Sequence, residues 1–311
     1  SSKALLALSV NSSGGANATL GGNVYANTVT IANTTASDSV NFKGDVTAAT
    51  AINFSADGIA VFNGTAAQTI TGAITTGTGN TGDLSVTNTA GRVKFAGLVG
   101  VTGTKIGDIT LATATKSEFD SAVFAQTATL AGTADVIVNA PITLASTLTT
   151  ANGNTITLGS AMTNGTTVVS TAADSTGTLD GTAGAITVTP NSAFSSGTVI
   201  LLNNSAALSA ANLTSVNMVN NALISYSLSL TNSSKDITIT AAAKSAATTA
   251  SELGITTDEA TSLASANTAL ATGDATALAA LNSALTTGGA TATKAAETMA
   301  LQADTLGAGS A

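Results

Sequence analysis

Nucleophilic catalysis on a hydroxyl needs a base beside it, and this chain offers few: 311 residues contain no His, no Cys and only nine Lys and Arg. Two places where a hydroxyl adjoins a Lys are Ser234-Lys235-Asp236 and Thr293-Lys294. Neither lies in a Ser-x-x-Lys spacing at a strand-to-helix turn, so both read as solvated polar positions. Paired carboxylates could hydrolyse glycosides, but that chemistry needs acids converging on one face beside aromatic platforms. Asp83, Asp108, Asp120, Asp135, Asp174 and Asp180 are scattered along the middle of the chain, and aromatics make up 3% of it. Calcium is the ligand that Asp, Asn and turn carbonyls fit best. The nearest match to a calcium-binding β-roll repeat is Gly77-Thr-Gly-Asn-Thr-Gly-Asp83, a single copy without the Gly-Gly-x-Gly-x-Asp phrase, which reads as a turn. No Gly-Lys-Ser/Thr follows it, so it is not a phosphate cradle. The sequons at Asn63, Asn164 and Asn212 are what chance supplies in so Asn- and Thr-rich a chain. Lys43, Arg92, Lys94, Lys105 and Lys116 gather much of the positive charge in one third of the chain. They read more simply as guards on strand edges than as a partner face. The expectation is a non-enzyme with no catalytic, cofactor-binding or metal residues.

The composition points the same way. Charged residues are 8% of the chain and the net charge is −8, so no basic stripe exists for phosphates and no nucleic-acid partner is expected. Disordered chains combine low hydrophobicity with high charge, whereas here 44% of residues are hydrophobic and the mean hydropathy is +0.38. With so few aromatics, that apolar content suits a thin, repetitive core of small and β-branched side chains. No apolar run approaches the roughly 18 residues of a membrane span, and Lys3 to Val10 suits a strand or the remnant of a signal peptide. Without Cys, stability outside the cell must come from backbone ladders and stacking.

From Leu20 to Thr240, runs of β-branched and small polar residues alternate with Gly, Asn and Asp, which is strand and turn repeated. Clear runs are 23–31, 51–55, 58–62, 69–75, 83–88, 135–138, 155–158, 185–189 and 198–202. Asn63-Gly64, Asn152-Gly153, Asn164-Gly165, Asp57-Gly58 and Asp180-Gly181 supply turns that accept positive φ. The runs also resemble one another: Thr65 to Thr75 aligns with Thr133 to Thr143, with weaker echoes at Thr155 to Thr163 and Thr182 to Val188. Short turns with no intervening helix fit hairpins or a parallel β-helix, and the Val/Ile/Leu/Ala and Thr/Ser/Asn vocabulary favours the latter. At roughly 20 residues per coil the stretch would make about 11 coils and a rod on the order of 50 Å long.

Near Lys244 the period changes. Thr256-Thr-Asp-Glu259 has capping-box spacing, with Leu263, Ala266 and Leu270 following at helical intervals. A second start at Asp274 leads to Leu278, Leu281 and Leu285, and Thr291 to Ala303 forms a third Ala-rich segment. The predicted architecture is all-β, a parallel β-helix (β-solenoid) over 1–243 with a short α-helical C-terminal tail over 244–311.

Two stretches carry a family resemblance. Val40 to Gly58, with Phe62-Asn-Gly-Thr65 and Ile70 to Thr76, reads as a repeat phrase. Ala222 to Ala303, with Glu252-Leu-Gly-Ile255 and Gly273 to Asn282, reads as a closing pair of strands and a lead-out. Together they resemble the passenger region of bacterial autotransporters, in particular the large rickettsial-type outer-membrane surface antigens. The resemblance implies a right-handed β-helix exported through a C-terminal barrel and displayed at the bacterial outer surface. This stretch shows neither signal peptide nor barrel strands, so a processed or excised passenger is expected. The implied function is an extracellular structural protein that self-assembles into a filament or surface layer through its solenoid ends and helical tail. The alternative is an adhesin that binds a host or neighbouring-cell receptor through one face of the rod.

Overall fold

A run that alternates β-branched with small polar side chains gives a strand with one apolar face, and such a strand is stable only when that face is buried. The computed structural model describes residues 4–273 except 13, 34, 36, 192 and 193, together with 277, 280, 281, 284 and 285. It solves the burial problem by coiling. The strands run β1 (Leu5–Val10), β2 (Asn17–Leu20), β3 (Val24–Ile31), β4 (Ser39–Phe42), β5 (Val46–Phe54), β6 (Ile59–Phe62), β7 (Gln68–Thr76) and β8 (Asp83–Val86). They continue as β9 (Arg92–Phe95), β10 (Ile106–Leu111), β11 (Lys116–Phe119), β12 (Val123–Leu130), β13 (Asp135–Val138), β14 (Ile142–Leu144) and β15 (Leu148–Thr149). Then come β16 (Asn154–Leu158), β17 (Thr167–Thr171), β18 (Ile186–Thr189), β19 (Gly197–Asn203), helix α1 (Ala210–Thr214), β20 (Val216–Met218), β21 (Ile224–Thr231) and β22 (Asp236–Ala243). Two helices, α2 (Ala246–Leu253) and α3 (Thr257–Gly273), follow.

Strands two apart pair with each other, so the chain climbs as a coil: one sheet of ten strands runs β1-β3-β5-β7-β9-β11-β13-β16-β18-β20, and a second holds the other twelve. Neighbours along the coil are parallel, as expected for a β-solenoid. Nine steps of about 4.8 Å make the ten-stranded stack roughly 43 Å tall. Coil length is not uniform in sequence. The coil that carries Phe119 to Val138 is much shorter than the one that carries Thr157 to Thr189, the excess lying in corner loops, so the rungs are fewer than a uniform short coil predicts. The long strands bend. Gly72 turns β7 at φ +109°, where a Cβ would stand 2.2 Å from the Ala48 carbonyl oxygen on the rung below.

One column of side chains runs the length of the rod. Leu8, Val29, Ile52, Ile74, Val99, Val123, Ile142, Val169, Leu202, Ile237 and Leu230 face one another through successive pairings. Every member is Leu, Val or Ile. All are buried but Leu8, Ile142 and Leu230, which are partly so. A second stack uses the rings. Phe42 lies 5.4 Å from Phe62, Phe62 meets Phe95 edge-on at 5.2 Å, and Phe95 stacks on Phe119 at 5.0 Å.

At the corners the backbone leaves the ladder, and side chains take its donors. Asn23 Oδ1 accepts the Asp45 N–H at 3.0 Å, and Asp45 Oδ1 accepts that of Thr69 at 2.8 Å on the next coil. Gln68, buried, donates to the carbonyls of Phe42 and Gly44 and accepts from the Gly64 N–H and the Asn88 amide. None of its hydrogen-bonding capacity is left in the apolar interior, where an unmet polar atom costs about 1–3 kcal/mol.

The far end closes differently. β22 pairs antiparallel with β19, and β21 pairs antiparallel with β22, their hairpin turning through Asn232, Ser233 and Ser234 at φ 51°, 55° and 64°. Helix α2 starts at its Ser245 cap and ends at Gly254 in the left-handed conformation. The expected Thr256/Glu259 capping box is present before α3. Leu253, Leu263, Leu281 and Leu285 join the same core as the coils, so the helical segment packs on the solenoid. Lys244 ties β22 to α2 through Glu252 at 2.7 Å. The third helical segment expected over 291–303 lies outside the described residues.

The column carries a stability prediction. Ile74→Ala removes a fully buried member between two others and should cost about 2–5 kcal/mol. Ile142→Ala, at a half-buried position, should cost less than half as much. Urea denaturation of both variants followed by circular dichroism checks the ranking.

Candidate functional surface

Charge is rare here, so where the coil gathers it is informative. Strands β9, β11 and β13 lie side by side with Arg92 facing Lys116 and Lys116 facing Asp135, and with Lys94 facing Glu118. Lys94 Nζ is 3.0 Å from Glu118 and 2.8 Å from Asp120, while Arg92 is 3.3 Å from Asp135 and donates to the Ser117 carbonyl at 2.9 Å. Asn139 adds a hydrogen bond to Asp120 at 2.8 Å. Lys116 stands exposed in the middle. Three cations and three anions thus form one lateral patch that neutralises itself. Burial resists ionisation of Asp120, but hydrogen bonds from Lys94 and Asn139 outweigh it and hold its carboxyl below the ordinary value. Hydrogen bonds to Asp120 and Glu118 raise the Lys94 ammonium above its own.

A second column is acidic. Asp83 sits in register with Asp108, whose N–H it accepts at 2.8 Å, and the Thr127 hydroxyl donates to Asp108 at 2.6 Å. Burial raises the Asp83 carboxyl; the hydrogen bond from the Asp108 backbone opposes this, and the charges of Asp108 and Asp57 add to it. The sequence therefore hides two groupings among acids that look scattered: Asp120 with Asp135, and Asp83 with Asp108. The signal that could have found them is the length of each coil, which sets Lys116 beside Asp135 in one place and Leu84 beside Ile109 in the other. Glu118 and Asn139, which sequence reasoning passed over, complete the first.

The remaining candidates stay apart. Asp174 and Asp180 each close a local turn by accepting the N–H two residues on, and these hydrogen bonds lower both carboxyls. Ser234 and Lys235 lie at the β21–β22 hairpin, and Asp236 is buried there, accepting from Asn203. Thr293 and Lys294 lie outside the described residues. In the Gly77–Asp83 loop the hydroxyls of Thr76 and Thr81 bond to each other and to the Thr78 carbonyl, and the Gly82 N–H donates to Asp57. Lys43 caps the Asn63 carbonyl at 3.2 Å, and Lys105 contributes its own carbonyl to the Asn80 N–H. Among the described residues no three His, Cys, Asp or Glu side chains are grouped to hold a metal, and no helix is long and apolar enough to cross a membrane.

Among the described residues, large exposed apolar side chains are confined to Leu5, Leu6 and Tyr25, on β1 and β3. Leu5 and Tyr25 border an open hollow lined also by Leu8, Leu20 and Val24. From the sequence Lys3 to Val10 reads as a strand or a signal-peptide remnant, and its described part forms the strand β1, whose exposure depends on stacking order and not on a single run.

Two outcomes follow from the electrostatics. An Asp whose pKa is raised in the fold weakens the fold once ionised, so Asp83→Asn, which keeps an acceptor for the Asp108 N–H, should leave stability at pH 7 unchanged or slightly higher in calorimetry. Asp120 has the opposite sign: its contribution is present above the ordinary carboxylate pKa and is lost as the pH falls through its lowered value. Lys94→Met should therefore flatten the acid limb of the stability-pH curve, by no more than about 1 kcal/mol at this part-exposed site. Comparison of the chain with protein-family models, with curated proteins and with solved structures finds no match in any of the three.

Proposed function

We propose that this chain is an extracellular structural protein of a bacterial outer surface, a stiff spacer that self-assembles into filaments or a layer. The observation that carries the reading is the distribution of apolar exposure. Among the described residues the flanks of the coil present Thr, Ser, Asn and Ala, and after Tyr25 no large hydrophobic side chain is exposed on them. A binding protein that works through its side would place apolar or unpaired charged groups there. The resemblance of Val40 to Gly58 and Ala222 to Ala303 to autotransporter passengers, a family in which low Cys content is common, supports a location outside the cell.

The adhesin reading has one observation in its favour, the charged patch on β9, β11 and β13, where six charged side chains meet on the flank. Their mutual neutralisation lowers the field they offer a partner, so the structural reading ranks first.

Negative-stain electron microscopy across a concentration series at neutral pH distinguishes them. Ordered filaments or sheets are expected, unchanged by a calcium chelator. Rods that stay monomeric at every concentration would sink self-assembly, and loss of cell binding on Lys94→Glu and Asp135→Lys would then favour the adhesin.

A further inference from the structure

A Gly that follows an Asn leaves its amide nitrogen free to approach the Asn side-chain carbonyl carbon, because no side chain stands in the way. That nitrogen can attack Cγ and close a cyclic imide. The chain carries the pair three times, at Asn63-Gly64, Asn152-Gly153 and Asn164-Gly165, each in a corner between strands. The three corners hold the reacting atoms differently.

At Asn63 every group is engaged or enclosed. Its side-chain amide donates to Asn41 Oδ1 at 2.8 Å, and the Gly64 N–H donates to Gln68 Oε1 at 2.9 Å. Asn63 Oδ1 is buried and accepts no hydrogen bond, so the negative charge that attack would place on it meets neither water nor a donor. At Asn164 both reacting ends are anchored on one residue of β19. Asn164 Oδ1 accepts the Thr198 N–H at 2.8 Å, and the Gly165 N–H donates to the Thr198 carbonyl at 2.8 Å. Ring closure there must release both. At Asn152 the side chain is exposed, and among the described residues no hydrogen bond holds it. Only the nitrogen is tied, by the Gly153 N–H to the Ala185 carbonyl at 2.8 Å.

We infer that Asn152 is a site of spontaneous covalent modification in the folded protein, converted through an imide to Asp and isoaspartate while Asn63 and Asn164 are protected. The Gly153 nitrogen gives up its proton and bonds to Asn152 Cγ. The Cγ–Nδ2 bond breaks, and the amide group leaves with that proton as ammonia. Water then opens the imide at either carbonyl, giving Asp by one route and isoaspartate by the other. Neither oxidant nor cofactor enters, and the chemistry is the same whether or not the rods assemble. The product places a new anion beside Asp180, whose carboxyl already accepts from the Asn152 N–H. Isoaspartate also adds a carbon to the main chain, at a corner of the kind in which the coils already differ in length.

The intact chain, incubated at mildly alkaline pH and sampled over weeks, reports all three sites by peptide mass spectrometry, and an isoaspartyl methyltransferase assay measures the isoaspartate share. Conversion should appear first at Asn152 and run roughly tenfold or more ahead of Asn63, whose bonds in the fold must open before it reacts. In urea the protection is gone, and the three sites should convert at similar rates. Asn152→Gln should remove the early conversion and leave the circular dichroism spectrum unchanged. Conversion of Asn63 or Asn164 as fast as Asn152 in the folded chain would overturn the assignment. So would an Asn152 that stays intact in the folded chain while it converts in urea.

Discussion

The inward side chains of this protein lie against their counterparts one coil above and one below, and that stacking constrains the rest of the structure. In a globular core a residue meets neighbours from several directions, and a poor fit at one is made good at another. In a solenoid the contacts are nearly one-dimensional, so columns sort by shape. The column from Leu8 to Leu230 admits only Leu, Val and Ile, while Phe42, Phe62, Phe95 and Phe119 collect where the cross-section leaves room for rings. Where the coil shortens after Phe119, the aromatic stack stops and Val138 and Leu158 take the following rungs.

Stacking fixes the strands but leaves the corners free, and this explains how the short coil from Phe119 to Val138 and the long one from Thr157 to Thr189 share one rod. A corner must only return the chain to register and satisfy the amides that leave the ladder. Asn23, Asp45, Asp57, Asp83 and Asn164 do the second by lending a side-chain oxygen to an N–H on a neighbouring coil. The long loops between β17 and β18 and before β20 lengthen the chain without moving a rung, since loop closure costs grow only slowly with length.

The same division separates what was legible in the sequence from what was not. The solenoid itself was legible, because alternation and repetition are local. The alignment of Thr65 to Thr75 with Thr133 to Thr143 turns out to be the true register three coils apart, with Ile70 over Val138 and Ile74 over Ile142. Strands β9 and β11 were not picked out, because Arg92-Val-Lys-Phe and Lys116-Ser-Glu-Phe carry charge on the outer face and, in β11, a buried Ser117 on the inner one. Their strand character comes from the rungs they lie between. The charged patch was illegible for the same reason: Arg92, Lys116 and Asp135 each sit a full coil from the next, and only a known coil length brings them together.

Stacking also accounts for why a chain of this size carries so few charges. A residue type repeated on the outer face falls on itself about 4.8 Å away, where like charges repel by roughly 1 kcal/mol in water and several times that near a protein surface. Thr, Ser and Asn stack without that penalty and hydrogen-bond along the column, as Asn63 does to Asn41 at 2.8 Å and Thr75 to Asn53 at 3.2 Å. Charges enter where neighbouring rungs alternate in sign, as Lys94 and Glu118 do. Arg92 and Lys116 share a column, and there the guanidinium reaches past its neighbour to Asp135. Asp83 over Asp108 is the exception that shows the cost, since the proximity of Asp108 and Asp57 adds to burial in raising the Asp83 carboxyl. The uncharged flank is thus a consequence of coiling itself.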